Sequence, residues 1–315
     1  MGKLGAGTSV GIAPESTWGT AVTPTHFRAP IAVDVSRQYE NAATGRIGTS
    51  FFSGDVESFE TAEVSGLRFD VTYENFGEWL EMALWSTVST AGPSGTQYTH
   101  TFNVGTAAPI GHTMQVIQGD TGNSLDMEGA LVSSVEFAVS VGTPYLTMTL
   151  ALIGETVTVN GSPTSASYGS GDENVSAIDG ADLSWDSATY CLRTLRVVLN
   201  NGIERRNCIG SATTEKPLQT RERTVLVEFE VDHDPTLETK HAARTEANAT
   251  IVFTGSGDNV WTFTLRNMEI QTLSEPINNQ GVITQRITAR CRENPVGTYP
   301  LQIEVKNANS SGTAN

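Results

Sequence analysis

Residues 132–153, VSSVEFAVSVGTPYLTMTLALI, decide the fold class. Val135, Phe137 and Val139 alternate with Ser134, Glu136 and Ala138. A period of two places the apolar side chains on one face of a strand and the polar or small ones on the other. The spacer Gly142-Thr143-Pro144 then turns the chain into YLTMTLALI (145–153), so the segment is a β-hairpin. The same alternation returns in LRFDVTYEN (67–75), RTVLVEFEVD (223–232) and VWTFTLRNMEI (260–270). Further hairpin signals lie at Asn200-Asn201-Gly202 and Asn278-Asn279-Gln280-Gly281.

Only two stretches have helical spacing. In FGEWLEMALW (76–85), Phe76, Leu80 and Leu84 share a face, with Asn75 predicted as N-cap and Glu78 completing a capping box. In PTLETKHAARTE (235–246), Asp234 is the predicted N-cap and Pro235 occupies the first helical position.

These helices expose a repeated order. FRAPIAVDVSR (27–37), a polar stretch (41–66), LRFDVTYEN, a helix and a closing hairpin run in sequence. LRTLRVVLNNG (192–202), a polar stretch (207–222), RTVLVEFEVD, a helix and further strands repeat it. The reading is an all-β chain with two short helices, built as tandem β-sandwich or barrel domains. A first domain with an N-terminal arm spans 1–160, a Ser/Gly-rich linker 161–180, a second domain 181–305 and a disordered tail 306–315.

Composition narrows the function. The 315 residues include 30 glycines and only 17% charged residues, a profile of many short strands and tight turns. Net charge is −16, from 35 acidic and 19 basic side chains, which disfavours a nucleic-acid-binding surface. The excess is lopsided: 16 acids against 5 bases over residues 1–165. Cys191, Cys208 and Cys291 show no C-x-x-C spacing, so reduced thiols are expected and neither a zinc site nor a disulfide framework. No secretion signal opens the sequence and no run of 18 apolar residues occurs, so the expectation is a protein made in a cytoplasm, with no membrane partner.

The motifs of chemistry fail one by one. GAGTSVG (5–11) has its third glycine one residue late for a dinucleotide fingerprint, with no strand before it or helix after it, and reads as part of a flexible arm. Asp232, His233 and Asp234, with Glu238 and His241, are the densest set of metal-capable groups, but a helix cap and a strand end explain them. His26, His100 and His112 adjoin no nucleophile in sequence, and Glu57 and Glu60 sit in a stretch read as loop. Trp79, Trp85 and Trp261 fall in elements where packing accounts for them. No catalytic residue, cofactor or metal is expected.

The opening VGIAPESTWGTAVTPTHFRAPIAVDV (10–35) carries the one resemblance. Gly11, Ile12, Ala13, Glu15, Ser16, Thr17, Gly19, Thr20, Val22 and Pro24 match a phrase at the start of the tail tube proteins of long, non-contractile bacteriophage tails, which this sequence resembles. The resemblance covers about 25 residues in wording and most of the chain in architecture; the second copy lacks the phrase. It implies a structural virion protein, made in the host bacterial cytoplasm, whose partners are itself and other tail proteins such as the tape measure, terminator and distal tail proteins. It implies stacked rings, trimeric and pseudo-sixfold where one chain holds two tube domains, with DNA only as transient cargo of an acidic or neutral lumen. Ring-stacking candidates are then Gly48, Ser50, Phe51, Phe52, Asp55, Glu57 and Phe59 in the first polar stretch, and Glu215, Lys216 and Leu218 in the second. The N-terminal arm contributes Ile12, Glu15, Trp18 and Pro24. The competing readings are another phage β-structural protein (a capsid decoration protein or tail fibre) and a carbohydrate-binding β-sandwich. Fibre repeats, paired acids in a cleft and stacked aromatics are all missing from the sequence.

Overall fold

The computed structural model describes residues 7–43, 56–105, 107–119, 122–169, 173–178, 181–208, 211–276, 283–293 and 299–312. Nineteen strands, two short α-helices and a single 3-10 turn (Ser256–Asp258) make up the described elements, and the all-β expectation holds.

The backbone of the molecule is one eight-stranded antiparallel sheet. Its order is β3 (Ala32–Ala43), β4 (Val56–Asp70), β9 (Thr143–Gly154), β8 (Ser124–Ser140), β12 (Ala188–Asn200), β15 (Thr224–Asp232), β18 (Thr284–Cys291) and the end of β17 (Val260–Ser274). The hairpin read from residues 132–153 is β8–β9, closed by the pair Ser140 and Thr143. Val135, Phe137 and Val139 point into the core as the alternation requires.

A second layer covers the inner face in two parts. β2 (His26–Arg28), β1 (Ser9–Pro14), β7 (His112–Ile117), the start of β8 and β10 (Thr156–Asn160) form one. β11 (Ala181–Trp185), β16 (Ala247–Thr254), the start of β17, β19 (Leu301–Asn307), β6 (Gln97–Asn103) and β5 (Ser89–Ser94) form the other. β8 and β17 serve both layers. Each bends where its second-layer pairing shifts register, at Gly129 (φ +66°), between the β7 partners of Met127 and Ala130, and at Asn267 (φ +46°), between the β16 partners of Leu265 and Met268; these are left-handed positions that glycine and asparagine tolerate.

The pairings repeat. β3–β4–β9–β8 in the first half has the order of β12–β15–β18–β17 in the second, and β1–β7–β8–β10 that of β11–β16–β17–β19. The halves nevertheless share one continuous apolar core. Phe137 of β8 meets Phe263 of β17 with ring centroids 5.3 Å apart, and Phe76 meets Trp261 at 6.1 Å.

Several expectations require correction. α1 spans Gly77–Leu84, with Phe76 at the N-cap and no side-chain cap; Asn75 instead occupies a left-handed turn (φ +57°) before it. α2 spans Pro235–Ala242 and is capped by Asp234 as expected, its carboxylate accepting from the Thr236 N–H at 2.8 Å, but it stops short of 246. Asn200-Asn201-Gly202 is a corner rather than a hairpin: β12 pairs with β8 and β15, while β13 (Ile203–Arg206) pairs with β14 (Glu215–Gln219) in a separate two-stranded arm. The fully buried Asn201 holds that corner, its amide donating to the Ala83 and Val132 carbonyls at 3.2 and 2.9 Å. The hairpin signal at Asn278–Gly281 lies outside the described residues.

Candidate functional site

No cleft gathers catalytic groups among the described residues; what the fold presents is edges, arms and a broad polar face. Two edges of the eight-stranded sheet have no partner strand among the described residues. One is β3, with Ile31 just before it and Tyr39 within it about half exposed. The other is Glu269–Ser274 of β17. Unpaired N–H and C=O groups along such edges are templates for another strand. Between them the β8–β12 seam, with Phe137 opposite Val197 and Val135 opposite Leu199, joins the last strand of the first half's sheet to the first strand of the second's.

Two projections leave the same end of this sheet. One is the β3–β4 hairpin, described as far as the pair Ala43 and Val56; the other is the β13–β14 arm. Gly48, Ser50, Phe51, Phe52 and Asp55 therefore lie outside the described residues. Glu57 and Phe59 belong to β4, opposite Ala42 and Glu40, and the stretch 56–66 read as loop is strand. Glu215, Lys216 and Leu218 likewise belong to β14, not to a loop, with Leu218 half exposed. Clusters of Ser, Gly and Glu hide these strands, because they interrupt the apolar alternation by which a strand is read. The arm is docked onto the hairpin: the Arg205 guanidinium pairs with Glu63 and Glu40, and the Glu60 N–H donates to the Ala212 carbonyl at 2.9 Å. Burial alone would raise Glu60. Hydrogen bonds from the Arg37 guanidinium, the Val157 N–H and the Thr156 hydroxyl outweigh that and hold it below the usual carboxylate range.

The segment expected as a flexible arm is built into the molecule from Ser9 onward. Ile12 is fully buried in β1, between β2 and β7, and Pro24 is also buried. Glu15, 4% exposed, accepts from the Gly19 N–H at 2.8 Å, the Gly129 N–H at 2.9 Å and the Thr113 hydroxyl at 3.0 Å. Trp18 donates its indole N–H to the Gly129 carbonyl at 2.9 Å, and its ring packs against that glycine. A Cβ there would come within 2.7 Å of the ring, so Gly129 answers to both φ and contact. The family phrase is thus a clasp: its Glu and Trp grip the bend of β8.

The outer face of the eight-stranded sheet is polar, and three of its arginines are paired with carboxylates. Arg196 reaches Glu136 at 2.7 Å and Glu228 at 2.9 Å, Arg286 reaches Glu230 at 3.0 Å, and Arg193 reaches Asp232 at 2.7 Å. Short Ser and Thr side chains fill the spaces, around a shallow depression of about 610 Å³. The two flanking carboxylates raise the Arg196 pKa further, and the Thr284 hydroxyl, with the Arg286 guanidinium, holds Glu230 below the ordinary range against the opposing effect of burial.

Of the polar cluster at 232–241, the structure keeps His233 and Glu238 together and leaves His241 out. It adds Glu275, which sequence reasoning missed because it lies on a separate segment after β17. The His233 Nε2 stands 3.2 Å from Glu238 and 3.5 Å from Glu275. One imidazole and two carboxylates are a donor set suited to a divalent cation. All three are at the surface, and Gln285, donating to Glu275 at 2.5 Å, gives the group a structural task in tying β18 to the β17 end. His100 and His112 are buried and hydrogen-bonded, and Trp79, Trp85 and Trp261 are core residues.

A family model described as "Phage tail tube protein" matches residues 5–291, nearly the whole chain. No curated protein matches it. No helix among the described residues is long and apolar enough to cross a membrane.

Proposed function

The chain belongs to the phage tail tube protein family, structural components of the virion, and from that membership we propose that three copies close each ring of the tube, every chain filling two of six quasi-equivalent positions. The observation that carries this reading is the β8–β12 seam. It joins two sheet units with the same strand order, and it leaves one chain with complementary open edges at β3 and at Glu269–Ser274 of β17. A neighbour that repeats the seam pairs its β3 with that part of β17. Identical head-to-tail contacts generate a closed ring when the rotation between units divides a full turn. On this reading the two units correspond to residues 1–160 and 181–305.

The outer face of the eight-stranded sheet then lines the lumen. An arginine held by two carboxylates offers a passing phosphate less charge than a free one, which weakens counterion-releasing contacts with DNA at Arg196. The proposed role involves no catalysis, no cofactor and no membrane; the partners are further copies of the chain and the other tail proteins.

Substituting Ile31→Glu tests the ring. Ile31 is 49% exposed in the monomer, so the folded chain should lose no more than about 0.5 kcal/mol. Under conditions that polymerise the parent protein, the variant should sediment as a monomer. Tubes formed by the variant as readily as by the parent would contradict the proposed edge.

A further inference from the structure

Three chain segments meet at the end of the open β17 edge. His233 stands between β15 and α2, Glu238 lies in the first turn of α2, and Glu275 follows Ser274, the last residue of that edge. The two carboxylates lie 3.2 and 3.5 Å from one nitrogen, His233 Nε2, and the three ligand atoms all fall within 4.8 Å of one another. Ligand atoms about 2.1 Å from one metal ion stand about 3.0–3.4 Å apart in octahedral or tetrahedral geometry. The two distances to the imidazole are close to those of a coordination shell.

Two further features distinguish the group from an ordinary surface ion pair. Neither carboxylate pairs with a lysine or arginine among the described residues, whereas Glu230, Glu246 and Glu269 each hold a guanidinium. A lone Nε2–H between two carboxylates is shared, so one imidazole leaves the pair under-compensated. Glu275 is also aimed. Gln285, fully buried, donates to it at 2.5 Å while accepting from the Asp234 N–H at 3.0 Å. A fixed partner of this kind orients a metal-bound carboxylate from behind.

We propose that His233, Glu238 and Glu275 bind one divalent transition-metal cation, zinc-like in its preference for an imidazole nitrogen, with water completing the shell. Magnesium and calcium prefer oxygen ligands throughout and should bind more weakly. Bound there, the ion ties the first turn of α2 to the end of the β17 edge, a cross-link that neither element supplies alone. The site does not depend on the ring; if the ring forms as proposed, the ion steadies the edge that receives the neighbouring chain's β3.

The test uses the full-length monomer, dialysed against a chelator, in a Cys191→Ser, Cys208→Ser background that removes the accessible thiols. Calorimetric titration with zinc chloride should show one site per chain. His233→Ala, Glu238→Gln and Glu275→Gln should each weaken binding at least about tenfold, since even groups that only support a metal's ligands are worth about 10–100-fold. These side chains are at the surface, so the variants should keep the circular dichroism of the parent. His241→Ala, on the same helix but outside the group, should bind zinc as the parent does. Hydrogen exchange at the amides of residues 271–274 should slow when zinc is added to the parent, and not in Glu275→Gln. The absence of saturable one-to-one binding to the folded parent would overturn the site. So would affinity retained in all three variants, which would mean an adventitious ion only, or exchange at 271–274 that bound zinc leaves unchanged. None of these outcomes requires a tube, so failure here leaves the tube reading intact.

Discussion

Phe137 of β8 and Phe263 of β17 pack edge to face, centroids 5.3 Å apart, one ring from each half of the chain. Both are fully buried. The contact makes the two sheet units one cooperative body, although their strand order is repeated. Calorimetry should therefore record a single unfolding transition. Phe137→Ala should lower stability by about 3–5 kcal/mol without splitting the transition. Two resolved transitions would show that the halves unfold separately.

Glu15 should matter more than any other charged residue near the N-terminus. Glu15→Ala strands the Gly129 and Gly19 N–H groups, and leaving a buried donor unsatisfied costs about 1–3 kcal/mol each. Chemical denaturation of this variant should show a loss above about 2 kcal/mol, with Trp18 fluorescence shifted to the red. A loss within experimental error would remove the clasp from the account.

Stability should pass through a maximum at mildly acidic pH. Glu269, held between Arg244 (2.8 Å) and Arg292 (2.6 Å), and likewise Glu60, Glu230 and Asp234 have folded pKa values below their unfolded ones. Their stabilisation is complete above the ordinary carboxylate range and is lost as pH falls through the folded values. Glu81, Glu128 and Glu155 are raised, first by burial, so the folded state gains as pH falls through their folded values to the ordinary carboxylate range. Denaturant midpoints measured from pH 8 to pH 3 should rise slightly and then collapse, and Glu269→Gln should soften the collapse.

Freeing Arg196 should make the sheet face bind DNA. Glu136→Gln with Glu228→Gln removes both carboxylate partners of a side chain 43% exposed. Exposed pairs of this kind contribute at most about 1 kcal/mol, so the fold should tolerate the change. Filter binding at low salt should then detect duplex DNA, with affinity falling as salt rises. No gain over the parent chain would argue that pairing on this face is incidental to DNA passage.

The sequence discloses those parts of the fold that local chemistry dictates. Alternation at 132–153 located β8–β9, and Asp234-Pro235 located the start of α2, because pattern and capping act within a few residues. Asn75 misled because the helix start is set by burial of Phe76, Trp79 and Leu80, not by a cap. The strand at 56–66 reads as loop because it offers little apolar alternation: its buried Glu60 is held by Arg37, Thr156 and Val157, partners that sequence spacing does not reveal. The Arg196–Glu136–Glu228 bridge and the Glu275 contact join residues from distant elements, and no spacing rule reaches them. The opening phrase was legible as a family mark, but its role as a clasp on Gly129 required the fold.

Cryo-electron microscopy of assembled tubes tests the central claim most directly. Each ring should contain three chains, with β3 of one paired to Glu269–Ser274 of the next and an inner wall continuous through every β8–β12 seam. Rings of six chains, or rings in which β3 stays unpaired, would contradict it.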